Sequence, residues 1–145
     1  SMYSTLAPVA IQYKQVDPNI QIVGFSNAYS QQLLQLGGSA VDGVCLPVIF
    51  FAGSTDPTIK AYVDAYTEKY GSAPSALTSQ AYDSVGMLLT AIQEAGTTDE
   101  PTLRDTLANL EYTGVTGSTK FDENGDVTKT FVKLTIQDGQ FVEIQ

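Results

Sequence analysis

Between residues 56 and 111 the chain reads as one helix after another, and each carries an apolar stripe that needs a partner. "DPTIKAYVDAYTEKYG" opens with Asp56 as N-cap and Pro57 at the first helical position, where a missing N–H costs nothing, and closes at Gly71. Ile59, Tyr62, Val63, Tyr66 and Tyr70 share one face of it. "SALTSQAYDSVGMLLTAIQEAG" (75–96) is the longest element, with Leu77, Ala81, Val85, Leu88, Leu89 and Ile92 spaced as a buried stripe. "TDEPTLRDTLANLE" (98–111) is a third helix, opened by a Thr/Asp cap with acids in its first turn. Covering three such helices takes a sheet, and strand signals are few.

Upstream, "LAPVAIQYKQV" (6–16) has apolar residues at helical spacing and stops at Pro18. "IQIVGF" (20–25) is a short, β-branched run that predicts a buried strand. "SNAYSQQLLQLGG" (26–38) predicts a helix with Ser26 or Asn27 as N-cap, Leu33, Leu34 and Leu36 as its apolar face, and two glycines as its stop. "GVCLPVIFF" (43–51) predicts a second buried strand whose ladder Pro47 should interrupt. After "YTGVTG" (112–117) the period changes from 3.6 to 2. "STKFD", "TKTFVKLTIQ" and "QFVEIQ" alternate apolar and polar residues around the turns "ENGD" and "QDG", the pattern of an antiparallel meander. The whole is an unbalanced α/β pattern. Two isolated strands in the first 51 residues do not make a doubly wound sheet, so the expectation is an incomplete one.

Composition removes several functions. With 16 Asp plus Glu against 7 Lys plus Arg, net −9, the surface repels a phosphate backbone, so nucleic acid is not an expected partner. There is no histidine, the commonest general base and transition-metal ligand. The single cysteine, Cys45, sits in an apolar run, reads as a small buried hydrophobe and has no internal disulfide partner. No Gly-x-Ser-x-Gly or phosphate loop occurs, so a nucleophile–base pair has no ready parts. Catalysis would rest on carboxylates alone, and Asp99 and Glu100 are better explained as partners of a helix dipole. No run of about 18 apolar residues is present. No cofactor is implied. The acidic, Thr- and Gln-rich composition also permits a structural module on a cell surface.

"KFDENGDVTK" (120–129) gathers three acids, an amide and a glycine, and invites a cation-site reading. The spacing argues against it. Counting Asp122 as first, Gly125 is fourth and the twelfth position is Lys133, whereas a calcium loop of the EF-hand type wants glycine sixth and a bidentate Glu twelfth. Strand-like runs flank it, and Asn-Gly between alternating segments is a hairpin signal. The reading is a turn, with no metal.

Taken together, "AVDGVCLPVIFF", the spacing Pro57…Tyr62…Tyr66…Tyr70-Gly71…Pro74, "AYDSV" (81–85) and "TLRDTLANLEYTGVTGSTKFDENGDVTKTFVKLTIQDGQFVEI" resemble the later half of periplasmic substrate-binding proteins of the branched-chain amino-acid type. The likeness runs in order along essentially the whole chain. It implies part of a type I periplasmic-binding-protein fold, whose lobes are three-layer α/β sandwiches that close on a ligand, with a C-terminal antiparallel β meander. Residues 1–46 would belong to the second lobe, 47–120 would form a helical segment of the first, and 121–145 would return to the second. The chain would be a C-terminal fragment. The function implied is capture of an amino acid or small carboxylate for an ABC permease, in a periplasmic or extracellular parent, held at the membrane only through a lipid anchor in a Gram-positive source. A ligand-sensing domain of a receptor with the same fold is the alternative.

Four ligand-binding positions carry over from the resemblance. Tyr3 corresponds to an aromatic that lines the cleft. Ser26 or Asn27 corresponds to the strand-end position that in the family often holds an ammonium-binding acid, and here "GFSN" offers a hydroxyl and an amide instead. Leu77 corresponds to an apolar or aromatic position before the "Y-D" helix. Each also has a plainer reading: a frayed terminus for Tyr3, an N-cap for Ser26 or Asn27, core packing for Leu77. Tyr82 and Asp83 read as packing and capping residues of their own helix, and the Tyr62/Tyr66/Tyr70 stripe as a packing surface rather than a ring-stacking platform. In the family the two long helices cover a parallel sheet whose strands precede this chain. A fragment would leave their stripes in water at roughly 25 cal/mol per Å², and is expected to self-associate, exchange elements with another copy, or rearrange its sheet.

Overall fold

The computed structural model describes residues 2–144. They form helices and sheets in two compact units, one of residues 2–55 and 131–144 and one of residues 56–130.

The first unit begins with α1 (Tyr3–Val16), which carries Leu6, Ala7 and Ala10 on its buried face. α2 (Gln31–Gly37) packs against it, and the small alanines permit the close approach. α2 is capped not by Ser26 or Asn27 but by Ser30, whose Oγ accepts the Gln32 N–H at 3.2 Å. Residues 26–28 instead make a separate 3-10 turn, closed by the Tyr29 N–H to the Ser26 carbonyl. β1 (Cys45–Val48) pairs antiparallel with β4 (Val132–Gln137), Cys45 opposite Thr135, and β4 pairs with β5 (Gln140–Glu143). The β4–β5 turn is Asp138-Gly139, both at positive φ (50° and 70°), the two-residue geometry that matches strand twist. Leu46 and Val48 from β1 and Leu134 and Ile136 from β4 meet the helix residues and Val41 and Val44 in one core.

The run 20–25 falls short of a strand, and Pro47 explains it. The Cys45 N–H donates to the Ile22 carbonyl and the Gly24 N–H to the Cys45 carbonyl, a parallel pairing centred on Val23. Continuing it needs an N–H two residues on, at Pro47, which has none. Backbone groups alternate sides along a strand, so the ladder to β4 uses Leu46 and Val48 and loses nothing. Val23 and Phe25, expected inside, are 67% and 68% exposed. Gly24 is the buried point of the segment: a Cβ there would lie 2.6 Å from a Leu46 methyl and 2.9 Å from a Leu6 methyl.

The second unit holds α3 (Pro57–Tyr70), α4 (Ala76–Ala95), α5 (Glu100–Asn109) and the hairpin β2 (Glu111–Gly114)–β3 (Gly117–Lys120). Asp56, Pro57 and Gly71 act as read, whereas Asp99, read as part of a cap, stands at the N-cap of α5 without a side-chain cap hydrogen bond. Asp56 Oδ1 accepts the N–H groups of Thr58 and Ile59, Ser75 and Thr78 form a reciprocal capping box, and Gly71 and Gly96 end α3 and α4 at φ 73° and 64°. The alternating run at the C-terminal end divides between sheets: β3 pairs with β2, and β4 with β1 and β5. Between them, the Asp122 turn is closed by a Phe121–Val127 bridge.

The α4 stripe is the main correction. Leu77, Val85 and Leu89 are 78%, 58% and 61% exposed, and the buried residues of α4 are Ser79, Asp83 and Ala91. α3 buries none of its residues. No helix among the described residues is long and apolar enough to cross a membrane.

The two stripes therefore separate by mutation. Leu134→Ala in the first unit's core is expected to lose about 2–5 kcal/mol in urea unfolding, and Leu89→Ala less than about 0.5 kcal/mol. Equal losses would mean that Leu89 is covered.

Candidate ligand-binding site

The positions carried over from the resemblance fall in both units. Tyr3 starts α1 as an ordered helical residue, half-buried against the first unit's core rather than frayed. Ser26 and Asn27 lie in the 3-10 turn that follows the Val23 bridge and packs against α1, with Ser26 half-buried and Asn27 exposed beside the exposed Phe25. This end of the first unit presents a hydroxyl, an amide and aromatic carbon, groups that can donate or accept hydrogen bonds but carry no charge. Leu77 is in the second unit, in the first turn of α4, and its exposure removes the core reading.

Tyr29 shows how the first unit holds this end. Its ring stands edge-on to Phe51 and Phe141, with centroids at 6.3 and 4.7 Å, and its hydroxyl accepts the Ala52 N–H at 3.3 Å. Burial pushes the phenol above its usual pKa, partly offset by that hydrogen bond.

In the second unit, α3, α4 and the β2–β3 hairpin border an open groove of about 1220 Å³. The Tyr62, Tyr66 and Tyr70 rings contact one another in sequence, and Tyr62 also contacts Tyr82 at 4.7 Å. The stripe is thus a ring cluster along a groove wall and not a surface under a sheet.

Beneath that wall lies a polar network that sequence reasoning missed. Asp83 does not cap its own helix. Its buried carboxylate takes the turn of the hairpin: Val115 N–H donates to Oδ1 at 2.9 Å, Thr116 N–H to Oδ2 at 2.7 Å, and the Thr116 hydroxyl also to Oδ2. Lys129 Nζ donates to Thr116 Oγ1 at 3.1 Å and to Thr119 Oγ1. Desolvation lowers the Lys129 pKa, against the pull of the Asp83 charge. Tyr112 is shifted up, by desolvation first and then by the Asp83 charge. Val115 and Thr116 are absent from the positive-φ residues and Gly117 takes the left-handed position after them (φ 81°), so the carboxylate adds hydrogen bonds to a turn that glycine already permits. Glycines make the approach possible: a Cβ on Gly114 would fall on the Asp83 carboxylate, and one on Gly86 on the Tyr112 hydroxyl. The signal was available as Ser79, Asp83, Gly86 and Ala91, small or polar residues at helical spacing on α4.

The Asp122 turn is closed in the same manner on a smaller scale. Asp122 Oδ1 accepts the N–H groups of Asn124 and Asp126 at 2.9 and 2.8 Å, and Gly125 has φ 81°. Those backbone bonds, Asp126 first, lower the Asp122 pKa.

The sequence model of the periplasmic binding protein family matches residues 3–140. A protein of Rhodospirillum rubrum described as a branched-chain amino acid ABC transporter has a closely similar structure, with a TM-score of 0.89 and 36% identity over 99% of this chain and 42% of that one. The substrate-binding protein LivJ of Streptococcus pneumoniae, solved with isoleucine, gives a TM-score of 0.81 at 25% identity, over 99% of this chain and 43% of that one. Among curated proteins, the leucine-, isoleucine-, valine-, threonine- and alanine-binding protein of Pseudomonas aeruginosa is 27% identical over 116 residues, 80% of this chain and 31% of its own length. The chain thus spans well under half the length of these relatives. Its fold is part of the type I periplasmic-binding-protein fold.

Two outcomes check this geometry. Asp83→Ala strands two N–H groups and a hydroxyl and is expected to cost about 3 kcal/mol, with Gly114→Ala also destabilising; unchanged denaturation midpoints would refute the network. For Asp122, the folded pKa is depressed, so its contribution is present above the ordinary value of about 4 and is lost as pH falls through the folded one. The melting-temperature gap between wild type and Asp122→Asn is therefore expected at pH 7 and should close below about pH 4.

Proposed function

We propose, from the premise that the chain belongs to the periplasmic binding protein family, that it is part of an extracytoplasmic solute-binding protein that captures an amino acid or related small molecule and delivers it to an ABC permease. The observation that carries this reading is the match over residues 3–140 joined to the similarity, end to end, with the branched-chain amino acid protein of R. rubrum. It is a binding function and not an enzymatic one, in keeping with a chain that lacks histidine. The parent is periplasmic or extracellular, carried as a lipoprotein in a Gram-positive source.

In this proposal residues 1–46 and 121–145 belong to the second lobe and residues 47–120 to the first, while the compact units divide about ten residues later, at 55/56 and 130/131. Support comes from a chain that leaves its first compact unit and returns to it near the end. Tyr3, Ser26 or Asn27, and Leu77 contact the ligand in the intact parent, which traps it by closing. With Ser26 and Asn27 in place of an acid, another carboxylate takes an α-ammonium, or the ligand lacks one, because an unpaired buried ammonium costs several kcal/mol. The 145-residue chain by itself pairs with a second copy or exchanges elements with one.

Titration calorimetry of the intact parent against aliphatic amino acids and small carboxylates tests the reading. Saturable binding of one compound, weakened at least tenfold by Tyr3→Ala or Asn27→Ala, is expected. Absence of heat with every compound, alongside turnover of an ester or glycoside, would overturn it.

A further inference from the structure

The Asp122 turn contains the one place where the chain's covalent structure is poised to change without an enzyme. Asparagine is a thermolabile residue, and Asn124 is the only one of the chain's four asparagines that precedes a glycine. Both Asn124 and Gly125 are exposed. The backbone nitrogen after an asparagine can attack the side-chain amide, and a glycine there, with no Cβ, leaves the approach open. In that step the Gly125 nitrogen gives up its proton and bonds to Asn124 Cγ, while the bond from Cγ to the side-chain nitrogen breaks and ammonia leaves with the proton. Water then opens the five-membered imide at either carbonyl, giving aspartate or an isoaspartate whose main chain runs through the former side chain. Water is the only co-reactant.

The turn controls access to this step. The Gly125 N–H donates to the Asp122 carbonyl at 3.1 Å, so the proton that must leave is engaged. Asp122 Oδ1 accepts the Asn124 and Asp126 N–H groups at 2.9 and 2.8 Å, and the Asp122 N–H donates to the Asp126 carbonyl at 2.9 Å, which fixes the backbone on both sides of Asn124. Charge acts in the same direction. The attacking nitrogen becomes anionic, and Asp122, Glu123 and Asp126 all lie within three residues of it, where like charge disfavours ionisation. Three carboxylates in five residues also keep this turn in water, because burying them without partners is costly, so the site does not depend on how much of the parent surrounds it.

We propose that Asn124 is a site of spontaneous deamidation and isoaspartate formation, and that the Asp122 turn is its gate: slow reaction while the turn is closed, fast reaction once it opens. The change is self-locking. An isoaspartate lengthens the main chain by one methylene, takes the Asn124 and Asp126 N–H groups out of register with Asp122 Oδ1, and undoes the Phe121–Val127 bridge that closes the turn. The inference is independent of the proposed ligand binding.

Peptide mass spectrometry of the 145-residue chain, aged in warm neutral buffer, reads it directly, with Asn19, Asn27 and Asn109 as internal controls. A gain of one mass unit is expected at Asn124 before any other asparagine, at least tenfold slower in the folded chain than in the same chain unfolded in guanidinium chloride. Asp122→Ala is expected to speed the reaction of the folded chain at least threefold with circular dichroism unchanged, and Asn124→Gln to abolish the gain in that peptide. Equal rates in the folded and unfolded wild-type chain would refute the gate, and this comparison stands even if Asp122→Ala fails to fold. A folded Asp122→Ala chain that reacts no faster than wild type also overturns it. A first gain at another asparagine, or none at Asn124 in the unfolded chain, refutes the site.

Discussion

The carboxylate of Asp83 sets which way α4 faces. Three donors of the β2–β3 turn converge on it, Val115 N–H, Thr116 N–H and the Thr116 hydroxyl. A buried carboxylate is tolerated only where its lone pairs are filled, and here backbone donors fill them and Lys129 stands behind Thr116 to balance the charge. Once Asp83 is committed to the hairpin, Ser79 and Ala91 turn inward with it. Helical geometry then carries Leu77, Val85 and Leu89 to the opposite side. The groove and its exposed apolar wall follow from one side chain's hydrogen bonds.

The first unit is organised on different terms. There an apolar core of ordinary composition fastens two helices to a three-stranded sheet, and polar groups matter mainly at caps and turns. One of its irregularities is covalent: Pro47 cannot donate, so the parallel contact with residues 22–24 ends where it begins. The end of the unit beyond that contact displays Phe25, Ser26 and Asn27, the neutral group on which the proposed ligand contact depends.

Much of this was legible in the sequence. Asp56-Pro57, Ser75, Gly71 and Gly96 marked the helix ends, because capping is a local property that needs no knowledge of neighbours. The turn at Asp122 was equally local. What failed was the inference from an apolar stripe to a buried one. That step assumes that the partner surface lies within the chain, and for α4 the surfaces it does meet are α5 and a hairpin gripped by small and polar residues. Ser26 and Asn27 lost the cap to Ser30 because residues 26–28 close on themselves first. The candidate site was readable only through the family likeness, since nothing in the spacing of Tyr3, Asn27 and Leu77 brings them together.

The inward commitment of α4 is most directly tested by amide hydrogen exchange at Val115 and Thr116, the two turn N–H groups that point at Asp83. Slow exchange at both positions in the wild-type chain, lost in Asp83→Ala while the Asn124 amide in the Asp122 turn is unaffected, is the predicted result. Rapid exchange at both positions in the wild-type chain would contradict it, and would free α4 to bury the opposite face.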